Sequence, residues 1–323
     1  MRAIVIEEFG GPEVLRVADI AEPEPGPGEV TIDVAYAGVN FADVKARSQG
    51  YRVESLPFRP GLEVSGTIRA VGAGVTGFAP GQEVGAFISG GGYAEVVAAP
   101  AATVFAAPEG LSLRTFATLP SVLPTAYGLL HEVGRLREGD TVLIQGAAGG
   151  VGTVAGQLAR MGGASAVYGV VSSLDKAEHA LKSGYDQVFA AATFDSDVLD
   201  ATGGRGVDIA LDPVGGETFH RTLKVVGRFG RLVSFGNAGS DEPWSIGPAE
   251  TYPLAISVAG FSILSMAAAD PQRLRELAAA AFRTVTDGGV ELPVSAEFAL
   301  EDAAQAHRLV ESRTSTGKLL LRI

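Results

Sequence analysis

One stretch, Thr141 to Met161, constrains the fold of this chain more than any other. It reads TVLIQGAAGGVGTVAGQLARM, in which an apolar segment, Thr141–Gln145, runs into a glycine-rich turn. After the turn, small and apolar residues recur at the i, i+3, i+4, i+7 spacing of one helix face. Strand, turn and helix in direct succession predict a phosphate-binding βα unit, because unpaired N–H groups and the positive end of the helix dipole meet there.

The turn carries a variant of the dinucleotide fingerprint, with Ala147 in the place of the first glycine. Glycine lets the backbone approach a pyrophosphate where a Cβ would collide. The alternative is a tight structural turn that binds nothing. We favour dinucleotide binding and expect the pyrophosphate to contact five consecutive residues, Ala148, Gly149, Gly150, Val151 and Gly152.

Charge and composition remove several function classes. The net charge of −12 argues against a protein that tracks nucleic-acid phosphates or an anionic membrane surface. Because the chain has no cysteine, it has neither disulfides nor zinc–thiolate sites. The first ten residues contain no long apolar run, so we expect no secretory signal and predict a cytoplasmic protein. The most apolar late stretch, Pro253–Ala269, is interrupted by serines and a glycine, and we interpret it as strand and loop, not a membrane span.

Two kinds of pattern divide the 323 residues. Up to about residue 118, short apolar segments are separated by glycine and proline, as in a small barrel-like β fold. From about Leu119 to residue 263, strands alternate with helices, which predicts βαβ units on a parallel sheet. The last segments return to a β-rich pattern. We therefore predict an α/β protein with a discontinuous β-rich domain, residues 1–121 and 265–323, around a doubly wound parallel-sheet domain, residues 122–264.

The chain resembles the zinc-independent quinone oxidoreductases of the medium-chain dehydrogenase/reductase superfamily. The resemblance implies a GroES-like catalytic domain, a Rossmann-type cofactor domain, NADPH as cofactor and a homodimer. It is carried by six segments in order: GVNFADVKARSQGY (38–51), PGLEVSGTIRAVGAGVTGF (60–78), GDTVLIQGAAGGVG (139–152), VDIALDPVGGETF (207–219), GRLVSFGN (230–237) and EDAAQAHRLVESRTSTGKLLL (301–321).

The same resemblance bears on zinc. Zinc-dependent relatives carry a cysteine where this chain has Asn40, and a Gly-His-Glu where it has Gly61-Leu62-Glu63. The four histidines are scattered, and no pair has ligand spacing such as H-x₃-H. We predict no catalytic zinc.

The end of the second predicted strand, Ala166–Val171, favours NADPH over NADH. NAD-selective sites place an acidic residue there, about 20 residues past the fingerprint, on the ribose hydroxyls. This chain has Ser172 and Ser173 instead, followed by Lys176. Two hydroxyls and a cation suit a 2′-phosphate, and the resemblance implies that Lys176 contacts it. Asp175 is the one opposing charge nearby, and it could cap the next helix.

Further cofactor contacts are expected where parallel strands end. One such segment is Ser234, Phe235, Gly236 and Asn237, whose backbone could hold the nicotinamide ribose or carboxamide. The resemblance places Asn40 and Thr125 near the nicotinamide and Lys318 at the cofactor border. Asp212 marks either a tight strand end or an adenosine contact, and the sequence leaves both open.

Reduction of a quinone or an enone places negative charge on an oxygen, which needs a nearby donor or cation. The candidates are Asn40, Lys45, Tyr51 and the 2′-hydroxyl of the cofactor itself. Lys45 stands where many quinone reductases of this group have tyrosine, and it lies either near the pocket or in solvent.

A quinone is the acceptor that we favour. An enone, a 2-alkenal or an enoyl thioester is the alternative, and convergence of Arg47, Arg52 and Arg59 on a coenzyme A tail would favour the thioester. Non-catalytic NADPH binding, as a crystallin-like or RNA-binding protein, is a third hypothesis. We expect a homodimer that pairs through the edge strand predicted at Ile256–Ile263, since an unpaired edge is a template for association.

Overall fold

The computed structural model of the chain describes residues 1–240 and 242–323. The strands in these ranges are β1 (Arg2–Val5), β2 (Arg16–Asp19), β3 (Glu29–Val39), β4 (Glu63–Val71), β5 (Glu83–Phe87), β6 (Val96–Pro100), β7 (Val104–Ala106), β8 (Thr141–Gln145), β9 (Ala166–Val171), β10 (Gln187–Ala190), β11 (Val207–Asp212), β12 (Val226–Ser234), β13 (Ser257–Gly260), β14 (Val294–Ala299) and β15 (Lys318–Arg322). The α-helices are α1 (Phe41–Gln49), α2 (Leu113–Phe116), α3 (Val122–Tyr127), α4 (Gly150–Met161), α5 (Ala177–Lys182), α6 (Phe194–Ala201), α7 (Gly216–Lys224), α8 (Pro248–Thr251), α9 (Ile263–Ala269), α10 (Pro271–Thr286) and α11 (Ala303–Glu311).

The chain forms two compact units. The first contains Met1–Ser121, Leu264–Ala279 and Leu292–Ile323, and the second contains Val122–Ile263 and Ala280–Glu291. In the sequence-based prediction, residues 280–291 belonged to the β-rich domain. They belong with the second unit because the side chain of Gln157 holds the backbone of Glu291, with Nε2 donating to its oxygen at 2.8 Å and Oε1 accepting from its nitrogen at 3.0 Å.

A six-stranded sheet in the order β10-β9-β8-β11-β12-β13 forms the second unit, and every pairing in it is parallel. All five residues of β8 are buried, as expected for a central strand covered on both faces. The chain leaves β8 toward β9 on one side and returns to β11 on the other, so the strand order reverses next to β8. In doubly wound sheets ligands bind at this reversal.

The first unit is organised by a seven-stranded sheet. Its order is β14-β15-β3-β4-β5-β7, with β6 also paired to β3, and its pairings are antiparallel apart from β14 with β15. Its core is aliphatic and includes Ile32, Ile68 and Leu321. Strand β3 ends at Val39, directly before Asn40, and β4 begins at Glu63. The ends of these paired strands bring residues 38–40 beside residues 63–64.

Helix α1 begins at Phe41, and Asp43 in its first turn accepts from the N–H of Asn40 at 2.9 Å, as the third helical residue does in a capping box. Gly50 ends the helix in the left-handed conformation. The described helices include none long and apolar enough to cross a membrane.

Two helices differ from the sequence-based interpretation. Residues Phe194–Ala201 form α6, which the sequence analysis did not predict. Its buried side chains are Phe194 and Val198, four positions apart among aspartates and a serine, which is too weak a pattern for periodicity to identify. Residues Ile263–Ala269 form α9, and the prediction of strand and loop there was wrong.

Candidate cofactor and active site

The turn between β8 and α4 has the geometry of an anion cradle. Gly146 adopts a φ of 68°, and the N–H of Ala147 donates to the oxygen of Val170 in the neighbouring strand at 3.0 Å. Thr153 makes a backbone bond to the oxygen of Gly149 at 2.8 Å, so the N–H groups of residues 150–152 precede the hydrogen-bonded ladder of α4. Those three groups lie at the positive end of a 12-residue helix.

Gly152 is required by packing. A Cβ at this position would lie 2.3 Å from the oxygen of Gly146 and 2.8 Å from Ala147, both backbone atoms that cannot move aside cheaply. A Cβ at Gly149 would meet the same oxygen at 3.4 Å, which is ordinary contact. The last glycine of the fingerprint therefore allows the helix to approach the turn, which is the role that this position has in dinucleotide sites.

Two further strand ends lie beside this turn. After β11, the Asp212 carboxylate accepts from Val214 N at 2.7 Å and Gly215 N at 3.2 Å, so Asp212 closes its own turn. Burial raises the pKa of Asp212 to about 6, against the lowering effect of those two N–H groups. The side chain of Pro213 comes within 3.6 Å of a Cβ position on Gly146.

The third loop follows β12. Phe235 N donates to the oxygen of Asp212 at 2.9 Å, and Asn237 lies against Gly215. The structure thus brings the predicted segment Ser234–Asn237 next to the β11 turn, which itself adjoins the glycine turn. Thr125 lies in α3, which packs on α4, and is buried.

The segment after β9 carries both signs of charge. Ser172 and Ser173 are exposed. Ser173 caps the following 3₁₀ turn, accepting from Asp175 N at 3.4 Å and donating to the Asp175 carboxylate at 3.0 Å. Lys176 follows directly and is half-buried. The two hydroxyls and the cation predicted for a 2′-phosphate are thus present, with one carboxylate hydrogen-bonded to the second hydroxyl.

In the first unit, Asn40 lies between two buried charges. Lys318 Nζ donates to Asn40 Oδ1 at 2.6 Å, and Asn40 Nδ2 donates to Glu63 Oε1 at 2.9 Å. Lys318 and Glu63 also form an ion pair with each other, and their side chains are 3% and 0% exposed. The second oxygen of Glu63 accepts from Ser121 N at 2.8 Å. Asn40 and Lys318, which lie 278 residues apart, are therefore in direct contact.

The Asp43 carboxylate binds the backbone of Asn40 and of the segment before Glu63. Its carboxylate accepts from Asn40 N at 2.9 Å, from Gly61 N at 3.0 Å and from the hydroxyl of Tyr93 at 3.3 Å. Burial raises the pKa of Asp43 to about 6, although both backbone N–H groups favour its charged form. Because Gly61 lies just before Glu63, one carboxylate fixes both segments that hold the charges around Asn40.

Behind Tyr93 lies a fully buried histidine. The Tyr93 hydroxyl is 3.3 Å from His307 Nε2, and the two rings meet edge to face. Burial, followed by the nearby Arg47 guanidinium, lowers the pKa of His307 to about 3. His307 is therefore neutral at physiological pH and belongs to the interior of the first unit.

The structure bears on one of the two alternatives for Lys45. Its side chain lies in the interior, 8% exposed, so a solvated lysine is excluded. Tyr51 is 37% exposed, and the guanidinium of Arg52 lies 5.8 Å from its ring. Arg47 is completely buried and ion-paired with Glu311. It therefore does not join Arg52 and Arg59 in a surface patch for a coenzyme A tail.

Comparison with known proteins gives the family. Residues 26–109 match the alcohol dehydrogenase GroES-like domain, and residues 150–282 match the zinc-binding dehydrogenase model. The rat quinone oxidoreductase is 35% identical over 99% of this chain and 97% of its own length. The chain belongs to the quinone oxidoreductase family. The quinone oxidoreductase of Pseudomonas aeruginosa is 33% identical over 99% of both chains.

Solved structures agree with this family assignment. A mycobacterial protein complexed with NADPH has a TM-score of 0.93 and 33% identity, with both chains covered completely. The Escherichia coli quinone oxidoreductase complexed with NADPH has a TM-score of 0.92 and 30% identity over the same coverage. The predicted combination of a Rossmann-type sheet and a GroES-like domain is confirmed, and this family member is an oxidoreductase of the medium-chain dehydrogenase/reductase superfamily.

One of the two matching family models is named for zinc binding, so we examined the positions at which zinc-dependent relatives carry metal ligands. Outside position 241, the structure contains no group of three or more His, Asp or Glu side chains placed to hold a metal. The positions of the cysteine and histidine of zinc-dependent relatives hold Asn40 and Leu62. The ammonium of Lys318 lies against Asn40 and Glu63, and an ammonium donates hydrogen bonds but cannot ligate a cation.

Sequence reasoning missed one of these residues and did not connect the other with Asn40. Glu63 was noted only as part of a Gly-Leu-Glu segment, and Lys318 was expected at the cofactor border. No local spacing pairs position 318 with positions 40 and 63. The folded sheet brings these positions together, because β15 pairs with β3 and sets Leu319 opposite Val39.

Proposed function

We propose that this protein transfers hydride from NADPH to a quinone. The observation that carries the proposal is the glycine turn at the strand reversal, in which Gly152 permits the close approach of helix and turn. Two family structures of the same fold over the whole chain are complexes with NADPH. NADPH supplies the hydride when bound, and the protein supplies binding, orientation and electrostatics.

The cofactor contacts that we propose follow the second unit. Residues 148–152 hold the pyrophosphate through backbone N–H groups, and the loop of residues 234–237 together with Thr125 borders the nicotinamide ribose and carboxamide. The hydroxyls of Ser172 and Ser173 and the ammonium of Lys176 hold the 2′-phosphate. These residues suit the cofactor because they offer donors and a cation to its anionic groups.

Acceptor chemistry is proposed for the first unit. Asn40 supplies a hydrogen bond where charge develops on the acceptor oxygen, and Lys45 and Tyr51 are the other candidate donors or cations. A side chain that stabilises developing charge contributes to kcat more than to substrate affinity. Replacement of Lys45 by Met and of Tyr51 by Phe separates the two candidates by their effects on kcat. We propose that this chemistry proceeds without zinc, and metal analysis of the active protein tests that directly.

The experiment that tests the function is acceptor screening with NADPH. Oxidation of NADPH is followed with a panel of quinones, small enones and crotonyl-CoA. We expect the highest kcat/KM with a quinone. Preference for an enone or the thioester would make the protein a C=C reductase, and tight NADPH binding without turnover on any acceptor would make it a non-catalytic binder.

We also propose a homodimer through residues 256–263. In the six-stranded sheet β13 occupies the edge, paired with β12 on one side only. A second copy would extend the sheet across a two-fold axis. Light scattering should give twice the 33.1 kDa chain mass. Ala259→Lys should shift the protein toward monomer, whereas Ala73→Lys, in an exposed turn of the first unit, should not. The cytoplasmic location stays a prediction that cell fractionation can check.

A further inference from the structure

The carboxamide of Asn40 is held between opposite charges. Its oxygen accepts from the Lys318 ammonium at 2.6 Å, and its nitrogen donates to the Glu63 carboxylate at 2.9 Å. Both charged side chains are almost completely buried, whereas Asn40 itself is half-buried. Charge-assisted hydrogen bonds of this kind are about twice as strong as neutral ones.

These charges determine which way the amide points. The two ends of a carboxamide have nearly the same shape, so packing alone distinguishes them poorly. Rotation by half a turn would set the NH₂ group against the ammonium and the carbonyl against the carboxylate. Both contacts would be repulsive, and they would be repulsive in a low-dielectric interior where such interactions are strongest. The ion pair therefore selects one orientation.

The surrounding backbone is adapted to this pair. Glu63 uses its other oxygen to accept from Ser121 N at 2.8 Å. A Cβ on Gly38 would lie 2.5 Å from Glu63 Oε1 and 2.8 Å from the oxygen of Ala117, so only glycine at position 38 leaves room for the carboxylate. A buried charge pair is costly unless its remaining polar atoms are hydrogen-bonded, and here the carboxylate is.

The second N–H of the amide has only a long internal hydrogen bond. An amide nitrogen carries two hydrogens, and one of them is committed to Glu63. The other has Gly38 O at 3.5 Å, the outer limit of a hydrogen bond. We infer that Lys318 and Glu63 are positioning residues that fix the Asn40 carboxamide so that this N–H meets the acceptor oxygen that gains charge. Because that oxygen belongs to the quinone, the assignment rests on the function proposed above.

A double-variant cycle separates positioning from structural support. Lys318→Met and Glu63→Gln each leave one charge buried without its partner, so both should lower Tm and kcat. The double variant E63Q/K318M removes both charges and should recover Tm. Its kcat with NADPH and the best quinone should stay about 100-fold below wild type, the size of loss that misplacement of a reacting group causes. The KM for NADPH should change little.

Recovery of kcat together with Tm in the double variant would overturn the inference, since a purely structural pair has no further effect once replaced. Lys318→Arg keeps a cation of different shape and serves as the conservative control. It should retain more kcat than Lys318→Met while both fold.

An independent readout uses the amide itself. Asn40 and Asn237 are the two asparagines of the chain, so labelling asparagine side chains with ¹⁵N gives two NH₂ signals, and Asn40→Ser assigns them. In the wild type the two protons of Asn40 should be widely separated in shift, and in E63Q/K318M they should approach each other. An unchanged Asn40 signal would contradict the fixed orientation. If the wild type reduced no quinone, the proposed function would fail, while this signal would still report on the amide.

Discussion

The glycine turn after β8 and the charged cluster around Asn40 are constructed in different ways. The turn presents backbone N–H groups, and its shape depends on the absence of a Cβ at Gly152. The Asn40 cluster presents side chains, and its shape depends on two buried charges, Glu63 and Lys318. The first is contiguous in sequence, whereas the second joins residues 23 and 278 positions apart.

This difference predicts which substitutions should impair each site. A backbone site tolerates changes of side-chain chemistry but not of volume at its close contacts. A site made from buried charges tolerates volume better than it tolerates the loss of one partner, because an unpaired charge in the interior is strongly destabilising. Substitutions that change only volume, or only charge, therefore distinguish the two sites.

The largest effect is expected from volume alone in the turn. Gly152→Ala places a methyl group 2.3 Å from a backbone oxygen, so the helix must move away from the turn. Overpacking of this kind costs about 1–3 kcal/mol, and about 3 kcal/mol corresponds to roughly 100-fold in affinity. NADPH titration by fluorescence should show a loss approaching that size.

Gly149→Ala is the matched control, since the added methyl group has ordinary space and the φ of −80° suits alanine. In thermal unfolding without cofactor it should keep the Tm of the wild type, whereas Gly152→Ala should lower it. Equal losses of Tm from both substitutions would mean that the turn is sensitive to any side chain, and the packing argument for Gly152 would fail.

The same difference explains what could be predicted from the sequence. The strands Thr141–Gln145 and Ala166–Val171 were predicted with the bounds that the structure has. Their apolar residues are consecutive, and the glycines that end the first of them adjoin it, so a short window contains the whole signal. The parallel sheet followed from repeating this pattern along the second unit.

The Asn40 cluster could not be predicted in the same way. Asn40 itself was identified by resemblance, but its partners are supplied by β4 and β15, and no periodicity reports which strands will pair. Lys45 shows a related limit, because a lysine in a polar-looking helix is usually solvated, and only the packing of the first unit buries it. The short helix α6 was missed because two apolar residues do not define a face.

Asp43→Asn removes a charge without changing the volume of the side chain. Asp43 has a folded pKa of about 6, raised by burial from the usual value near 3.8. Between these values the unfolded chain releases a proton that the folded chain retains, so the contribution of Asp43 to stability is full below pH 3.8 and is lost as pH rises through 6. Relative to wild type, Asp43→Asn should therefore gain stability by about 2–3 kcal/mol between pH 4 and pH 7.

Denaturant unfolding at several pH values measures the difference in free energy of unfolding between Asp43→Asn and wild type. Asp212→Asn provides the comparison in the second unit, because burial also raises the pKa of Asp212 to about 6 and backbone N–H groups bind it in the same way. For both variants, the free energy of unfolding relative to wild type should rise with pH. A stability gap for Asp43→Asn that does not change with pH would show that its carboxyl titrates as an ordinary exposed one.

The smallest effects are expected at residues 172–176 after β9, where we propose that side chains of the second unit bind the 2′-phosphate. Here adjacent residues carry opposite charges and should respond with opposite signs. Lys176→Ala should weaken NADPH binding about tenfold, as expected for one charge-assisted contact, and leave NADH binding unchanged.

Asp175→Asn removes a carboxylate that is hydrogen-bonded to Ser173 and would repel a phosphate. It should therefore tighten NADPH binding by about threefold, a typical value for an exposed charge. The ratio of NADPH to NADH dissociation constants checks both variants in one measurement. If Asp175→Asn altered both cofactors equally, Asp175 would act only on the turn that Ser173 caps. Asp175 would then have a structural effect only, and any selectivity for NADPH would depend on Lys176 and the two serines.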